Sequence, residues 1–194
     1  MLERLSEKFA RKLINTGIIS EIDADLYVYG FFQLAMMILN IVTTLFLGIL
    51  FQLLIPCILL NLSYIPLRMN AGGHHAESPM KCYVNSTVII AVLLSVIKWI
   101  PFNIHISCIL LVIAGIVTWK LAPVETENNP LDEMEKTVYR RRTRIALIIE
   151  TVVFFIAIFF MKSWVSETIA LGVFTECLML LVGAVKNHYS NHKI

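Results

Sequence analysis

The chain has 194 residues, of which 58% are hydrophobic and 15% are charged, and its formal net charge at pH 7 is +2. Soluble domains are about a quarter charged, so this chain is unusually apolar. Such a composition excludes a disordered chain, a collagen-like fibre and a disulfide-stapled secreted module. The small net charge argues against a nucleic-acid-binding protein that relies on a basic surface. The apolar residues come in long blocks with the charges between them, which indicates a membrane protein with several spans.

Residues 1–20 are predicted to form an amphipathic helix that precedes the first apolar block. Its apolar positions recur near helical spacing and are Leu2, Leu5, Phe9, Leu13 and Ile18. Two interpretations stay open: the helix lies on the inner leaflet of the membrane, or it packs as a solvated helix on a cytoplasmic loop. Ser20, followed three residues later by Asp23, predicts a capping box at the start of the first span.

The first apolar block is long enough for two membrane spans. No charged residue occurs between Asp25 and Arg68. A single helix of that length would be roughly 60 Å long, whereas the hydrocarbon layer is only about 30 Å thick. The block is therefore predicted to fold back as spans near 28–47 and 49–67, with a tight turn near Gly48.

Four further apolar blocks follow, each about the length of a membrane span. In chain order they lie near 83–100, 104–121, 145–161 and 165–185. The sequence thus predicts an all-α, polytopic membrane protein with six transmembrane helices and an N-terminal amphipathic interfacial helix. Residues 1–194 are expected to form a single membrane-embedded domain.

The positions of the basic residues predict the orientation of the chain. If the amino terminus is cytoplasmic, Lys98 and Lys162 are the only two of the sixteen Lys and Arg residues that fall in outer loops. This distribution follows the positive-inside rule, whereas a chain of five spans would mix the two sides. We therefore expect a multi-pass protein with both termini in the cytoplasm.

The predicted cytoplasmic loop 68–82 differs in composition from the rest of the chain. Within fifteen residues it holds two glycines, two adjacent histidines, a carboxylate and a cysteine. Ser78 and Pro79 are predicted to be the N-cap and first residue of the third span, which places Cys82 in the first turn of that helix. The helix dipole and the neighbouring Lys81 both favour the thiolate form of Cys82.

His75 and the two glycines complete a candidate active site around Cys82. His75 lies seven residues upstream of Cys82, and a turn would bring the imidazole close enough to act as the base of this nucleophile. Backbone N–H groups at Gly72 and Gly73 would suit an oxyanion hole. The other three cysteines fall inside predicted spans, where a thiol behaves as a small hydrophobic group.

Less specific interpretations of this loop remain open. A loop cysteine near a histidine is common by chance, and the glycine pair can be a flexible turn. A metal site of His74, His75 and Cys82 is disfavoured because adjacent histidines usually diverge and no fourth ligand is evident. No metal is therefore predicted.

Two motifs of this chain resemble those of a known family. Loop residues Arg68-x-x-Ala71-Gly72-Gly73-x-His75-Ala76, with Cys82 seven positions after the histidine, are similar to the active-site motif of the accessory gene regulator B (AgrB) family. A second segment, Ala122-Pro123-Val124-Glu125 with Asn128-Asn129-Pro130-Leu131, is similar to the family's Ala-Pro-Val…Asn-Lys-Pro-Leu loop. The chain departs from that pattern at Asn129, and His74 occupies a variable position.

The resemblance implies a membrane cysteine endopeptidase of the bacterial cell membrane that matures a quorum-sensing pheromone precursor, AgrD. It implies that His75 manages the proton of Cys82 and that Cys82 forms a thioester with the precursor. An internal Cys or Ser of the peptide would then close a thiolactone or lactone ring. No cofactor is implied. The expected partners are an AgrD-like precursor and membrane lipid, and a homodimer is left open.

Three charged residues have weaker functional interpretations. Arg68 could bind a substrate carboxylate or help position the oxyanion, and it could equally be a positive-inside anchor. Glu150 and Glu176 lie inside predicted spans, where a carboxyl group is costly and suggests function. They could line a peptide cavity or pair with the charges near Arg144. The alternative function for the whole chain is a non-enzymatic membrane peptide transporter or binding partner, which would not need a reactive thiol.

Overall fold

The computed structural model describes residues 2–73, 78–100, 103–125 and 131–191. Within these ranges the chain is all-helical, which confirms the predicted fold class, and one turn of 3-10 helix covers Glu21–Asp23. The α-helices in chain order are α1 (Leu2–Asn15), α2 (Ala24–Leu50), α3 (Leu54–Ala71), α4 (Pro79–Trp99), α5 (Ile104–Leu121), α6 (Glu133–Phe159) and α7 (Ser163–Asn191).

Five helices of the described ranges, α2 to α5 and α7, are long and apolar enough to cross a membrane. They are the helices of a multi-pass membrane protein. Helix α6 is also long, but its last eighteen residues, 142–159, carry Arg142, Arg144 and Glu150. Because of these charges, the prediction of six spans is not confirmed by length and apolar composition.

The N-terminal helix α1 packs against the start of α2. Ser6 and Ala10 are buried in this contact, and the rings of Phe9 and Phe31 lie with their centroids 5.9 Å apart. Whether the opposite face of α1 lies on a membrane surface stays a prediction. The predicted capping box at Ser20 is wrong, because the Ser20 hydroxyl donates to the Asp23 carboxylate and does not cap the helix.

The first apolar block folds back as predicted, but the turn lies after Gly48 and not at it. Helix α2 ends in a Schellman motif: Gln52 has a φ of 60°, and the Leu53 N–H donates to the Gly48 carbonyl at 2.8 Å. Gly48 is buried inside α2, and a Cβ there would lie 3.0 Å from the Cys57 Cβ. Its missing side chain therefore permits the close approach of α3.

Helix α7 lies at the centre of the bundle and packs against α3, α5 and α6. The largest core cluster joins these four helices and consists of Leu67, Leu111, Ala114, Leu147, Phe154, Ile169, Ala170, Val173 and Cys177. A second cluster connects α3, α4 and α7 and contains Cys57, Leu60, Ile90, Leu94 and Leu171. The burial of α7 explains why its apolar stretch shows so little amphipathic pattern.

Helix α6 begins well before the predicted span at 145–161. Its N-terminus is a complete capping box, in which the Asp132 carboxylate accepts from the Glu135 N–H at 2.6 Å and the Glu135 side chain accepts from the Asp132 N–H at 3.1 Å. The helix therefore includes a charged first half that projects beyond the apolar core of the bundle.

Candidate active site

Cys82 lies in the first turn of α4, as predicted from Ser78 and Pro79. The Ser78 hydroxyl accepts from the Lys81 N–H at 3.3 Å, and the Cys82 N–H donates to the Ser78 carbonyl at 3.0 Å. The first bond satisfies one of the N–H groups that the first turn of a helix leaves unpaired, and the second is the first backbone bond of α4 itself. Cys82 is the one exposed thiol among the four cysteines, all of which the structure describes, since Cys57 and Cys177 are buried and Cys108 is intermediate.

The predicted base of Cys82 lies outside the described residues. His74 and His75 belong to the segment 74–77, which the structure does not describe. The pairing of His75 with Cys82 therefore stays a prediction. Gly73 and Ser78, at the two ends of this segment, are described.

The glycine pair docks a second chain segment against the end of α3. The Val124 N–H donates to the Ala71 carbonyl at 2.9 Å, and the Gly73 N–H donates to the Val124 carbonyl at 3.1 Å. Gly72 and Val124 thus form one parallel β-bridge. The two sequence motifs, which begin at Arg68 and Ala122 and are about fifty residues apart, are therefore adjacent in the fold.

Both glycines are required by backbone conformation and by close contact. Gly72 has a φ of 78° and Gly73 a φ of 96°, which L side chains rarely adopt. A Cβ at Gly72 would lie 2.3 Å from the Val124 carbonyl oxygen, and one at Gly73 would lie 2.8 Å from the Met179 carbonyl oxygen. Since the Gly73 N–H is bonded to Val124, this group is not free to act in an oxyanion hole in the conformation described.

Segment 122–125 also contacts α7. Ala122 and Val124 are buried with Ala71 and Leu180 in a small apolar cluster. The Asn187 side-chain amide donates to the Glu125 carbonyl at 2.6 Å. The segment therefore bridges the end of α3 and the last third of α7, at the end of the bundle where α4 begins.

Arg68 contacts the glycine pair from inside α3. Its guanidinium donates to the Gly72 carbonyl, which is one of the carbonyl groups that the end of a helix leaves unpaired. The same guanidinium lies within electrostatic range of the Glu176 carboxyl group on α7. Arg68 therefore connects the helix end, the loop and α7. A residue that only anchors the helix at the membrane surface would need none of these contacts.

Glu176 is fully buried on α7, and within the described ranges neither of its carboxyl oxygens has a hydrogen-bond partner. Tyr64 on α3 lies within electrostatic range of Arg68, Glu176 and Cys82. The packing of α3, α4 and α7 thus collects these four side chains near the loop. Sequence analysis missed Tyr64, although its position one helical turn before Arg68 is a signal that would have found it.

Glu150 makes a different contact, between α3, α6 and α7. The Ser63 hydroxyl on α3 donates to the Glu150 carboxylate and lies 3.5 Å from the Ile169 carbonyl oxygen. A Cβ at Gly172 would lie 2.5 Å from the Ser63 hydroxyl oxygen. Glu150 is 8% exposed and is bonded to a core serine, and its predicted role in lining a peptide cavity stays a prediction.

Within the described ranges, no group of three His, Cys, Asp or Glu side chains could hold a metal ion. The described part of the candidate site contains the exposed Cys82 thiol, backbone groups and polar side chains from α3 and α7.

Comparison with known proteins identifies the family. A family model described as accessory gene regulator B matches residues 6–180. A putative AgrB-like protein of Clostridium perfringens (strain SM101 / Type A) is 26% identical over 202 residues, which cover 93% of this chain and 91% of that protein.

Two staphylococcal proteins are similar over shorter stretches. The accessory gene regulator protein B of Staphylococcus carnosus (strain TM300) is 26% identical over 144 residues, covering 72% of this chain and 68% of its own. That of Staphylococcus aureus (strain Newman) is 31% identical over 121 residues, covering 62% of each chain. No solved structure matches. Since the family model covers most of its length, the chain belongs to the accessory gene regulator B (AgrB) family.

Proposed function

We propose that this chain is a membrane cysteine endopeptidase that cleaves a quorum-sensing peptide precursor and promotes its cyclisation. The observation that carries the proposal is the exposed Cys82 thiol in the first turn of α4, within electrostatic range of Tyr64 on α3, in a member of the AgrB family. The substrate class, a precursor similar to AgrD, is inferred from the family. Catalysis requires no cofactor in this proposal.

The proposed chemistry is two successive acyl transfers. His75 accepts the proton of the Cys82 thiol, and the sulfur attacks the carbonyl carbon at the carboxyl end of the future pheromone. The peptide C–N bond breaks, His75 returns the proton to the leaving amine, and the pheromone segment remains on Cys82 as a thioester. An internal thiol or hydroxyl of the peptide then attacks the thioester, which closes the ring and releases the Cys82 thiol.

In this proposal, the contacts around the loop position its backbone and take no part in proton transfer. The Val124 carbonyl accepts from the Gly73 N–H, and the Arg68 guanidinium donates to the Gly72 carbonyl. These contacts would fix the position of the backbone that leads to His75. Because thioesters are hydrolysed by water, a site at the edge of the bilayer would favour cyclisation over a linear product.

The test is a cleavage assay in cells that also produce a tagged precursor. Cys82→Ala and His75→Ala are expected to abolish release of the carboxy-terminal fragment. Cys108→Ala is the matched control, since it removes a partly exposed thiol elsewhere on the chain, and it should retain cleavage. Cleavage by Cys82→Ala would overturn the proposal, and so would transport of labelled precursor without shortening, as a peptide transporter would give.

The proposal includes six spans, a location in the bacterial cell membrane, and both termini in the cytoplasm. The helix that needs this test is α6, because its last eighteen residues carry three charges. Its ends can be tested in a Cys82→Ala background with Met134→Cys and Phe160→Cys, since both side chains are exposed. If α6 crosses the membrane, an impermeant maleimide added outside will label position 160 and not position 134. Labelling of both positions, or of neither, would overturn the six-span topology.

A further inference from the structure

An apolar groove runs between α5 and α6 on the outer surface of the bundle. Its volume is about 220 Å³, its walls are almost entirely apolar, and its lining residues are Gly115, Trp119, Leu147, Ile148, Thr151 and Val152. A Cβ at Gly115 would meet no atom within 4 Å, so the groove is open at this glycine. Ile148 and Val152 are half-exposed on its rim, where a bilayer would surround them.

The groove ends at Arg144, which forms no ion pair with any residue that the structure describes. The Arg144 guanidinium carbon lies 4.7 Å from the centroid of the Trp119 ring. Its Nε is buried without a hydrogen-bond acceptor, and the described part of the chain offers the guanidinium no ion pair. An unpaired charge beside an apolar surface is unfavourable, so this arrangement favours binding of an anion.

The surroundings of Arg144 are positive on the same face of α6. Arg140 and Arg141 precede it by one helical turn, and Lys120 follows Trp119 at the end of α5. The nearest carboxyl group further along α6, Glu150, is buried against Ser63 and does not neutralise this surface. Along α6, the exposed side chains change from basic to uncharged where the helix enters the apolar part of the bundle. In a bilayer this position would lie at the depth of the phospholipid headgroups.

We propose that this groove is a binding site for an anionic phospholipid of the surrounding bilayer. One acyl chain would lie against Gly115, Leu147 and Val152, and the headgroup phosphate would accept hydrogen bonds from Arg144. Basic pockets between membrane helices bind anionic headgroups in this way. Trp119 would hold the guanidinium in place by its cation–π contact. The site is independent of the proposed peptidase activity, because it shares no residue with the Cys82 loop.

The test uses the full chain, purified and reconstituted in vesicles, with Trp119 as its single tryptophan (Trp99→Phe and Trp164→Phe). Phosphatidylglycerol or phosphatidylcholine, brominated on the acyl chain near the headgroup, is added as the quencher of Trp119 fluorescence. We expect phosphatidylglycerol to quench at lower mole fraction than phosphatidylcholine. Arg144→Gln should reduce this preference about tenfold, the loss expected for one charge-assisted hydrogen bond to the headgroup phosphate.

Matched variants separate a site from general attraction to a charged surface. Arg142→Gln removes the same charge from an exposed position two residues away on α6 and should keep the preference, as should Arg144→Lys, which keeps the charge. Gly115→Leu fills the groove and should protect Trp119 from both lipids. Gly30→Leu, at another open glycine, should not.

Three outcomes would overturn the proposal. Equal quenching by the two lipids in the parent protein would show that the groove does not select an anion. An equal loss of preference in Arg142→Gln and Arg144→Gln would indicate only diffuse surface charge. Protection of Trp119 from both lipids in the parent, together with a covalent dimer on cross-linking, would show that a second copy of the chain fills the groove.

Discussion

The Ser63 hydroxyl on α3 donates a hydrogen bond to the Glu150 carboxylate on α6. Gly172 on α7 allows this contact, because any side chain there would displace Ser63. Three helices of the core therefore meet at one buried polar contact. A buried acceptor of this kind is costly when its donor is removed, which makes the contact testable by mutation.

Ser63→Ala is expected to destabilise the protein by about 1–3 kcal/mol, the range for leaving a buried polar group unpaired. Thermal unfolding in detergent, followed by circular dichroism, measures this change. Ser95→Ala is the control, since the Ser95 hydroxyl donates only to the Ala91 carbonyl of its own helix at 2.8 Å. If the two variants unfold at the same temperature, the contact with Glu150 does not stabilise the bundle.

Gly172→Ala should also destabilise the bundle, by about 1–3 kcal/mol, as overpacking of a core does. The physical reason is the 2.5 Å distance between its new Cβ and the Ser63 hydroxyl oxygen. Gly115→Ala is the matched helical control, since its Cβ meets nothing within 4 Å and alanine favours the helix by about 1 kcal/mol. Unfolding temperatures in the same detergent compare the two variants, and a stabilised Gly172→Ala would contradict the packing described.

Gly72→Ala is expected to release segment 122–125 from the end of α3 and to abolish precursor cleavage. Its Cβ would overlap the Val124 carbonyl, and a side chain at this positive φ adds strain of roughly 1–3 kcal/mol. Hydrogen exchange at the Val124 amide, which donates to Ala71, measures the release directly.

Gly17→Ala provides the control for backbone strain alone. Gly17 has a φ of 69°, but its Cβ would meet no atom within 4 Å. This variant should leave Val124 exchange and precursor cleavage unchanged. Slow exchange at Val124 in Gly72→Ala would refute the docking role of the glycine.

Cys82 should react with N-ethylmaleimide well before the other cysteines in the folded protein. Cys57 and Cys177 are buried and would react only after local or global opening. Mass spectrometry of tryptic peptides, taken at intervals after addition of the reagent, gives the order of modification. Modification of Cys57 or Cys177 at the rate of Cys82 would show that the α3 or α7 packing described is incorrect.

The helical fold could be predicted because its signals are local. A run of apolar residues of membrane length, and the pair Ser78–Pro79 before Cys82, each act within one helix and need no knowledge of its neighbours. The end of the first span was misplaced for the same reason. Glycine often marks a turn, and for this reason the sequence predicts a turn near Gly48. In the structure the missing side chain of Gly48 instead makes room for Cys57 of the next helix.

The contacts of the site could not be predicted, because they join residues far apart in the chain. Gly73 meets Val124 because the segment after α5 returns to the end of α3, and Glu150 meets Ser63 because α3, α6 and α7 pack closely at Gly172. The same holds for Trp119 and Arg144, which α5 and α6 bring together.

By itself, the sequence determined the helices, their apolar character, the family motifs and the helical position of the one exposed thiol. Only the tertiary structure decided which polar groups are partners: that the Gly73 N–H binds Val124, and that Glu176 is buried without a hydrogen bond among the described residues. The physical reason is that hydropathy and capping depend on neighbours within a few residues. The partner of a buried polar group depends instead on which faces of different helices pack together.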